Sequence, residues 1–360
     1  MIEKYYDGAI EQVAAGLGTV EKNHLLVRYS GQFSVENLND TKQLEKNEDI
    51  FVQVHEFETG EITCAYEPYL TMICDGFRRY MTGTFEEFME TCDVYYLHRP
   101  VLLGYFNQDN TGREEIILLD EVAYEQERML AALERMLCAI ADRHPVLFVL
   151  NRFQLASKST MQLTARFLKC ENCNIGLVLG VSDVQAMPEF LVPDWEMLYE
   201  TLDDGSKIYH IGNSGRKKEE TIDDEKYVDY GSEKVYRKLQ NMVEFLDFDQ
   251  AAYYLETIER KIKFDNLLVD DAARFRMWLL FVKVSILRQD IPKALEICED
   301  LEKIHLAGKE EECAYEQDYL IATAYMYQGK LKEALEMAGE TYRIAGKMSD
   351  DYRMFLSELL

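Results

Sequence analysis

Asn151 and Arg152 close an unbroken apolar run, Pro145–Leu150, and are followed by Phe153-Gln154-Leu155-Ala156 and the polar loop Ser157–Thr160. Such a run, ending where polar residues begin, is the kind of position from which a buried strand presents side chains for chemistry. Three other groups compete with it. Cys170 and Cys173 form the chain's only CxxC. A structural zinc site needs four ligands, however, and no second CxxC or His pair follows at suitable spacing. His55, beside Glu56, has the chemistry of a general base, yet no nucleophile motif accompanies it, and a core or edge histidine explains it as well. Asp109-Asn110-Thr111-Gly112 offers an acid and an amide, residues that turns use anyway.

The elements around Asn151 form a strand–loop–helix–strand unit. Met161, Ala165 and Leu168 recur at helical spacing, with Leu163 and Phe167 widening the stripe, and Ile175–Val181 is a second apolar run. Continuous apolar strands on either side of a helix belong to a parallel sheet covered on both faces. Upstream, residues 1–23 predict a helix, Leu25–Val27 opens a strand, and Ile50–Phe57 is another. Tyr66–Met81 reads as a helix with a proline in its first turn, and Phe85–Tyr96 as a further helix. Val101–Phe106 and Glu115–Leu119, flanking a turn-rich hexapeptide, predict a hairpin. Val122–Ala141 carries apolar residues every three or four positions. Trp195–Leu202 predicts a helix, Lys207–Ile211 a strand, and Asn213–Glu225 a charged linker. Strands alternating with helices over residues 1–215 define an α/β layer fold with a parallel sheet.

From residue 226 to 360 no strand pattern remains and proline almost disappears. Segments beginning at Asp247, Gln289 and Gly329, about 40 residues apart, share a turn-like start, an alanine five positions on (Ala252, Ala294, Ala334) and an amphipathic helix. A small residue there lets two helices of a hairpin approach closely. The pattern resembles tetratricopeptide repeats, with Trp278 and Ala294 at the aromatic and small positions of one unit. In the next, Ala322, Tyr325, Gly329 and Ala334 fall at the small, aromatic, turn and small positions. An all-α helical-repeat domain over 226–360 is therefore expected. The groove that such repeats offer to a protein or peptide would draw on Tyr254, Trp278, Tyr319 and Tyr325.

Composition sets limits on partners. Of 360 residues, 48% are hydrophobic, enough for two cores, and no stretch is long and apolar enough for a membrane span. The net charge of −27, from 66 acids and 39 bases, opposes binding to a phosphate backbone. Eight scattered cysteines suit the reduced thiols of a cytosol, and Met1–Asp7 lacks the basic-then-apolar order of a secretory signal. A cytoplasmic location is expected, with no nucleic acid and no membrane as partners.

The segment Val146–Leu168 resembles the Walker B region of the STAND class of P-loop NTPases: an apolar strand, one or two acids, an aromatic, a small residue, a polar loop and an amphipathic helix. Ile175–Ser182 and Lys207–Gly212 resemble later strands of that family, and Phe51–Tyr69 its second strand and Pro-Tyr segment. Helical repeats after such a domain are typical of the family. The resemblance implies a three-layer P-loop NTPase-like fold and a nucleotide site at Val27–Ser34 and Asn151-Arg152. A P-loop needs GxxxxGK[ST], in which backbone N–H groups cradle the phosphates, lysine reaches them and the hydroxyl binds Mg²⁺. Here Gly31 and Ser34 remain, while Gln32 or Phe33 stands at the lysine. Asn151 and Arg152 replace the acids; a neutral amide cannot offset the charge of Mg²⁺, and Arg152 repels it.

These departures lead to a non-enzymatic regulatory or signalling module that needs no cofactor and no metal. It would be the sensory or protein-interaction half of a larger regulator, and a homodimer is an open arrangement. The resemblance implies an output module, such as a DNA-binding or diguanylate cyclase domain, which these residues do not include. The chain stops in an amphipathic segment, Tyr352–Leu360, without the polar cap of a repeat array. The rival reading is a nucleotide-binding conformational switch that retains ATP or GTP at Gly31, Gln32, Ser34, Asn151 and Arg152.

Overall fold

The computed structural model describes residues 2–19, 24–29, 34–35, 49–58, 61–108, 121–170, 174–182, 187–203, 207–211, 229–265 and 267–360. Gly31, Gln32, Cys173, the 109–112 turn, Glu115–Leu119 and the 213–225 linker lie outside the described residues. The chain divides into two units: Met1–Ile116, Ala123–Val228 and Glu244–Asp247 form the first, and Ile117–Val122, Asp229–Val243 and Phe248–Leu360 the second.

In the first unit, β1 (His24–Tyr29), β2 (Phe51–Glu56), β3 (Val146–Asn151), β4 (Ile175–Ser182) and β5 (Lys207–Ile211) form one parallel sheet in the order β2-β3-β4-β1-β5. Every residue of β3 and β4 is buried, so these central strands read as apolar runs without alternation. On edge strand β2 only Phe51 is buried.

Helix α1 (Ile2–Gly16) covers one face. Its Tyr6, Ala9, Ile10 and Val13, spaced three and four apart, pack on Leu25 and Val27 of β1, Leu147 and Val149 of β3, and Val178 of β4. Gly176, two residues before Val178 and on the same face, makes the approach close enough that a Cβ there would lie 2.6 Å from Val13 Cγ1. The opposite face is aromatic. Phe148 lies 4.7 Å, ring to ring, from Tyr69 of α2 (Tyr69–Tyr80) and stacks on Phe167 of the later helix Lys158–Lys169. Then come α3 (Phe85–Thr91), held by a Thr84–Glu87 capping box, α4 (Arg99–Asn107), α5 (Val122–Ala141), α6 (Lys158–Lys169) and α7 (Val192–Asp203).

Three expectations are corrected. Val101–Phe106 is not a hairpin strand: Pro100 sits in the first turn of α4, where its missing N–H costs nothing, and left-handed Gln108 ends it. The helix predicted to reach Tyr96 stops at Thr91, and Pro68 caps α2 from outside its first turn.

The second unit contains α8 (Glu233–Glu244), α9 (Phe248–Phe264), α10 (Asp271–Leu287), α11 (Ile291–Leu301), α12 (Glu310–Tyr327), α13 (Leu331–Met348) and α14 (Asp351–Leu359). Leu246, Gln289 and Gly329 each adopt a positive φ two residues before the next helix begins, so the three turns share one backbone device. Ala252, Ala294 and Ala334, the small positions read from the sequence, are all buried.

Candidate functional site

The strand order fixes where a ligand would enter such a sheet. From β1 the chain crosses toward the β2 edge, whereas from β4 it crosses toward β5 at the other edge. With right-handed crossovers the two connections leave on opposite faces, and the crevice opens between the carboxyl ends of β1 and β4. The side chains gathered there on the α1 face are Tyr29, Asn151 and Glu56, with Tyr6 of α1 behind them.

These side chains are closed on one another. Tyr29 Oη donates to Asn151 Oδ1 at 2.6 Å, and Asn151 has no solvent exposure. Glu56, paired in register with Asn151, is the hub of the remainder. Its Oε2 accepts from Ser34 Oγ at 2.7 Å and from the Val35 N–H at 3.1 Å, and its Oε1 lies 3.3 Å from the Arg152 guanidinium. Arg152 has a positive φ of 53°, a conformation that strains a residue bearing a side chain. The sharp turn starts the 3₁₀ segment Phe153–Leu155 and lets Arg152 fold back on Glu56. Gln154 then fastens the end of β4: its amide donates to the Ser182 carbonyl at 3.1 Å and accepts from the Ser182 N–H at 3.3 Å.

Burial dominates the electrostatics. It pushes the Tyr29 phenol up to about 12, with Arg152 opposing and Glu56 adding to the rise, and raises Tyr6 well above 10. Because the folded-state pKa of Tyr29 lies above its unfolded value, its contribution is fully present below about pH 10 and is lost as pH rises toward 12. Urea midpoints measured from pH 9 to 12 should therefore fall with pH, and Tyr29→Phe should flatten that fall while lowering neutral-pH stability by about 1 kcal/mol for the lost hydrogen bond.

Of the residues predicted for a nucleotide site, the structure brings together Ser34, Asn151 and Arg152. Sequence reasoning missed Glu56, Tyr29, Tyr6 and Gly180. A Cβ on Gly180 would collide with the Tyr6 hydroxyl and lie 2.7 Å from Asn151 Oδ1, so this glycine makes room for the network. The available signal was alternation: Glu56 continues the face of Val52 and Val54, which pack toward α1.

Other candidates disperse. His55 packs edge-on to Phe57 at 4.5 Å. Cys170 caps α6, and its sulfur lies 3.5 Å from Cys138 of α5. No group of three or more His, Cys, Asp or Glu suited to a metal ion occurs among the described residues, and no described helix is long and apolar enough to cross a membrane. In the helical unit Trp278 is only 3% exposed and packs toward Phe281, which corrects its assignment from groove wall to core. Tyr254, Tyr319 and Tyr325 are half-buried. Tyr319 stacks on Tyr315, and Tyr325 lies under the Lys330 ammonium. Six residues apart on one helix, Tyr319 and Tyr325 point in different directions.

Comparison of the chain with protein-family models, with curated proteins and with solved structures finds no match.

Proposed function

We propose that this chain is a non-enzymatic regulatory module. Its first unit is a P-loop-NTPase-like scaffold that has lost hydrolysis, and its second is a tetratricopeptide-like array that receives a protein or peptide. The observation that carries the reading is the closed network at the sheet's carboxyl edge. Metal-assisted phosphoryl transfer needs a carboxylate aimed at Mg²⁺ and a cation aimed at the phosphates. Here the carboxylate of Glu56 is engaged by Arg152, Ser34 and Val35, and the position of the strand-end acid is an amide held by Tyr29. Binding a nucleotide would require breaking that ion pair and its hydrogen bonds. The shared left-handed turns and buried alanines support the repeat reading, and of the aromatic residues read as a groove Tyr254, Tyr319 and Tyr325 are the half-buried ones.

Calorimetric titration with ATP and Mg²⁺ decides between this reading and a nucleotide switch. The expected result is no binding heat at micromolar to millimolar nucleotide. Micromolar binding that disappears when Gly31 is changed would overturn the proposal.

A further inference from the structure

The sequence drew attention to Cys170 through its CxxC neighbour, but the fold gives it another partner. Cys138, in the last turns of α5, places its sulfur 3.5 Å from that of Cys170, although the two are 32 residues apart in sequence. Cys64, Cys74, Cys92 and Cys298, by contrast, are buried. The helices bearing the pair are held together by other contacts. Arg166 of α6 bonds Glu134 of α5 at 2.6 Å through Nε and also pairs with Glu127. Cys170, partly exposed, lines a groove of about 540 Å³ together with Lys169, Glu134, Leu130 and Met197.

We infer that Cys138 and Cys170 form a reversible disulfide site that staples α5 to the end of α6. A disulfide needs sulfurs about 2.05 Å apart, so the pair must close by roughly 1.5 Å, a movement within reach of side-chain rotation. Hydrogen peroxide, small enough to enter that groove, is the oxidant of the step. The Cys170 thiolate attacks one peroxide oxygen, the O–O bond breaks, and the departing hydroxide takes a proton to leave as water, giving a sulfenic acid. The sulfur of Cys138 then attacks the sulfenic sulfur; the S–O bond breaks, and the second water leaves with the thiol proton. Two thiols lose two electrons and one peroxide becomes two waters. Reduction by a small thiol reverses the step through exchange. Cys170, which lines the groove where Cys138 does not, is the first to react, and burial raises the Cys138 thiol that follows.

The bond would close a loop containing β3 and the Asn151-Arg152 corner, and so restrict the unfolded chain. In the test, the full chain is treated with a few equivalents of peroxide or with dithiothreitol, then digested with trypsin and a glutamate-specific protease. Cleavage after Glu171 separates Cys170 from Cys173. The expected product is a Cys138–Cys170 cross-linked peptide, short of two hydrogens and restored by dithiothreitol. Oxidation should raise Tm by several degrees in the parent and in Cys173→Ser, but not in Cys138→Ser or Cys138→Ala. A Cys170–Cys173 link, an intermolecular dimer on non-reducing gels, or a Cys138 that stays alkylatable after peroxide would overturn the inference.

Discussion

Gly180→Ala is expected to destabilise the α/β unit by about 3 kcal/mol, at the upper end of what overpacking a core costs. The new methyl group would collide with the Tyr6 hydroxyl and lie 2.7 Å from Asn151 Oδ1. Neither neighbour can retreat cheaply. Tyr6 is fully buried among Ile10, Val13 and Val27, and Asn151 is fully buried and accepts the Tyr29 hydroxyl. Relief must come from displacing α1 or breaking the Tyr29–Asn151 bond. Urea denaturation followed by tyrosine fluorescence measures the loss, and Gly180→Ala with Tyr6→Phe should recover part of it, because the two sites share one space. Gly339 provides the opposite control. It lies on α13 with nothing within 4 Å of an added Cβ, so Gly339→Ala should stabilise by about 0.5–1 kcal/mol through helix propensity alone. A Gly180→Ala protein as stable as the parent would mean that the carboxyl edge is open and the network loose.

How much of this was legible in the sequence differs by residue. The β3–α6–β4 unit was, because strands buried on both faces leave long apolar runs and Ser157 marks the start of the helix. Helix α4 was not: Val101–Phe106, followed by a turn-rich segment, satisfies a strand pattern as well as a helical one, and the nine-residue helix is too short to show its period. At the site, Asn151 and Arg152 stood out by position alone. Glu56 did not, since its role depends on three partners from separate segments: Ser34, Val35 and Arg152. Likewise no local pattern joins Cys138 to Cys170. Sequence periodicity reports which face of an element is buried, and partners across elements come only with the sheet order.

The closed edge also constrains which residue position 151 can hold. An acid at position 151 would place its charge beside Glu56 in a buried row, and like charges there repel. With Asn151 neutral and Glu56 paired to Arg152, the described side chains of the row balance one another's charge.

The largest effect in the helical unit is expected from Trp278→Ala, a loss of about 3–5 kcal/mol for emptying an aromatic from a core. Helix α10 buries residues on all sides, among them Phe275, Met277, Leu280, Phe281, Val282 and Ile286, so it has little solvent-facing surface to offer a ligand. Trp278 packs toward Phe281, whose ring in turn lies under the Lys293 ammonium of α11. Removing the indole therefore leaves a cavity at the centre of the α10–α11 hairpin, where neighbouring side chains are already fixed by contacts of their own. Tyr319→Ala, at a half-buried site, should cost about 1 kcal/mol and leave the fold cooperative. Differential scanning calorimetry of both variants separates the core position from the half-buried one. If Trp278→Ala left the melting profile unchanged while Tyr319→Ala collapsed it, the assignment of Trp278 to the core and of Tyr319 to the surface would be overturned. The order expected from burial is the reverse, because Trp278 is enclosed on every side while Tyr319 keeps part of its ring at the surface.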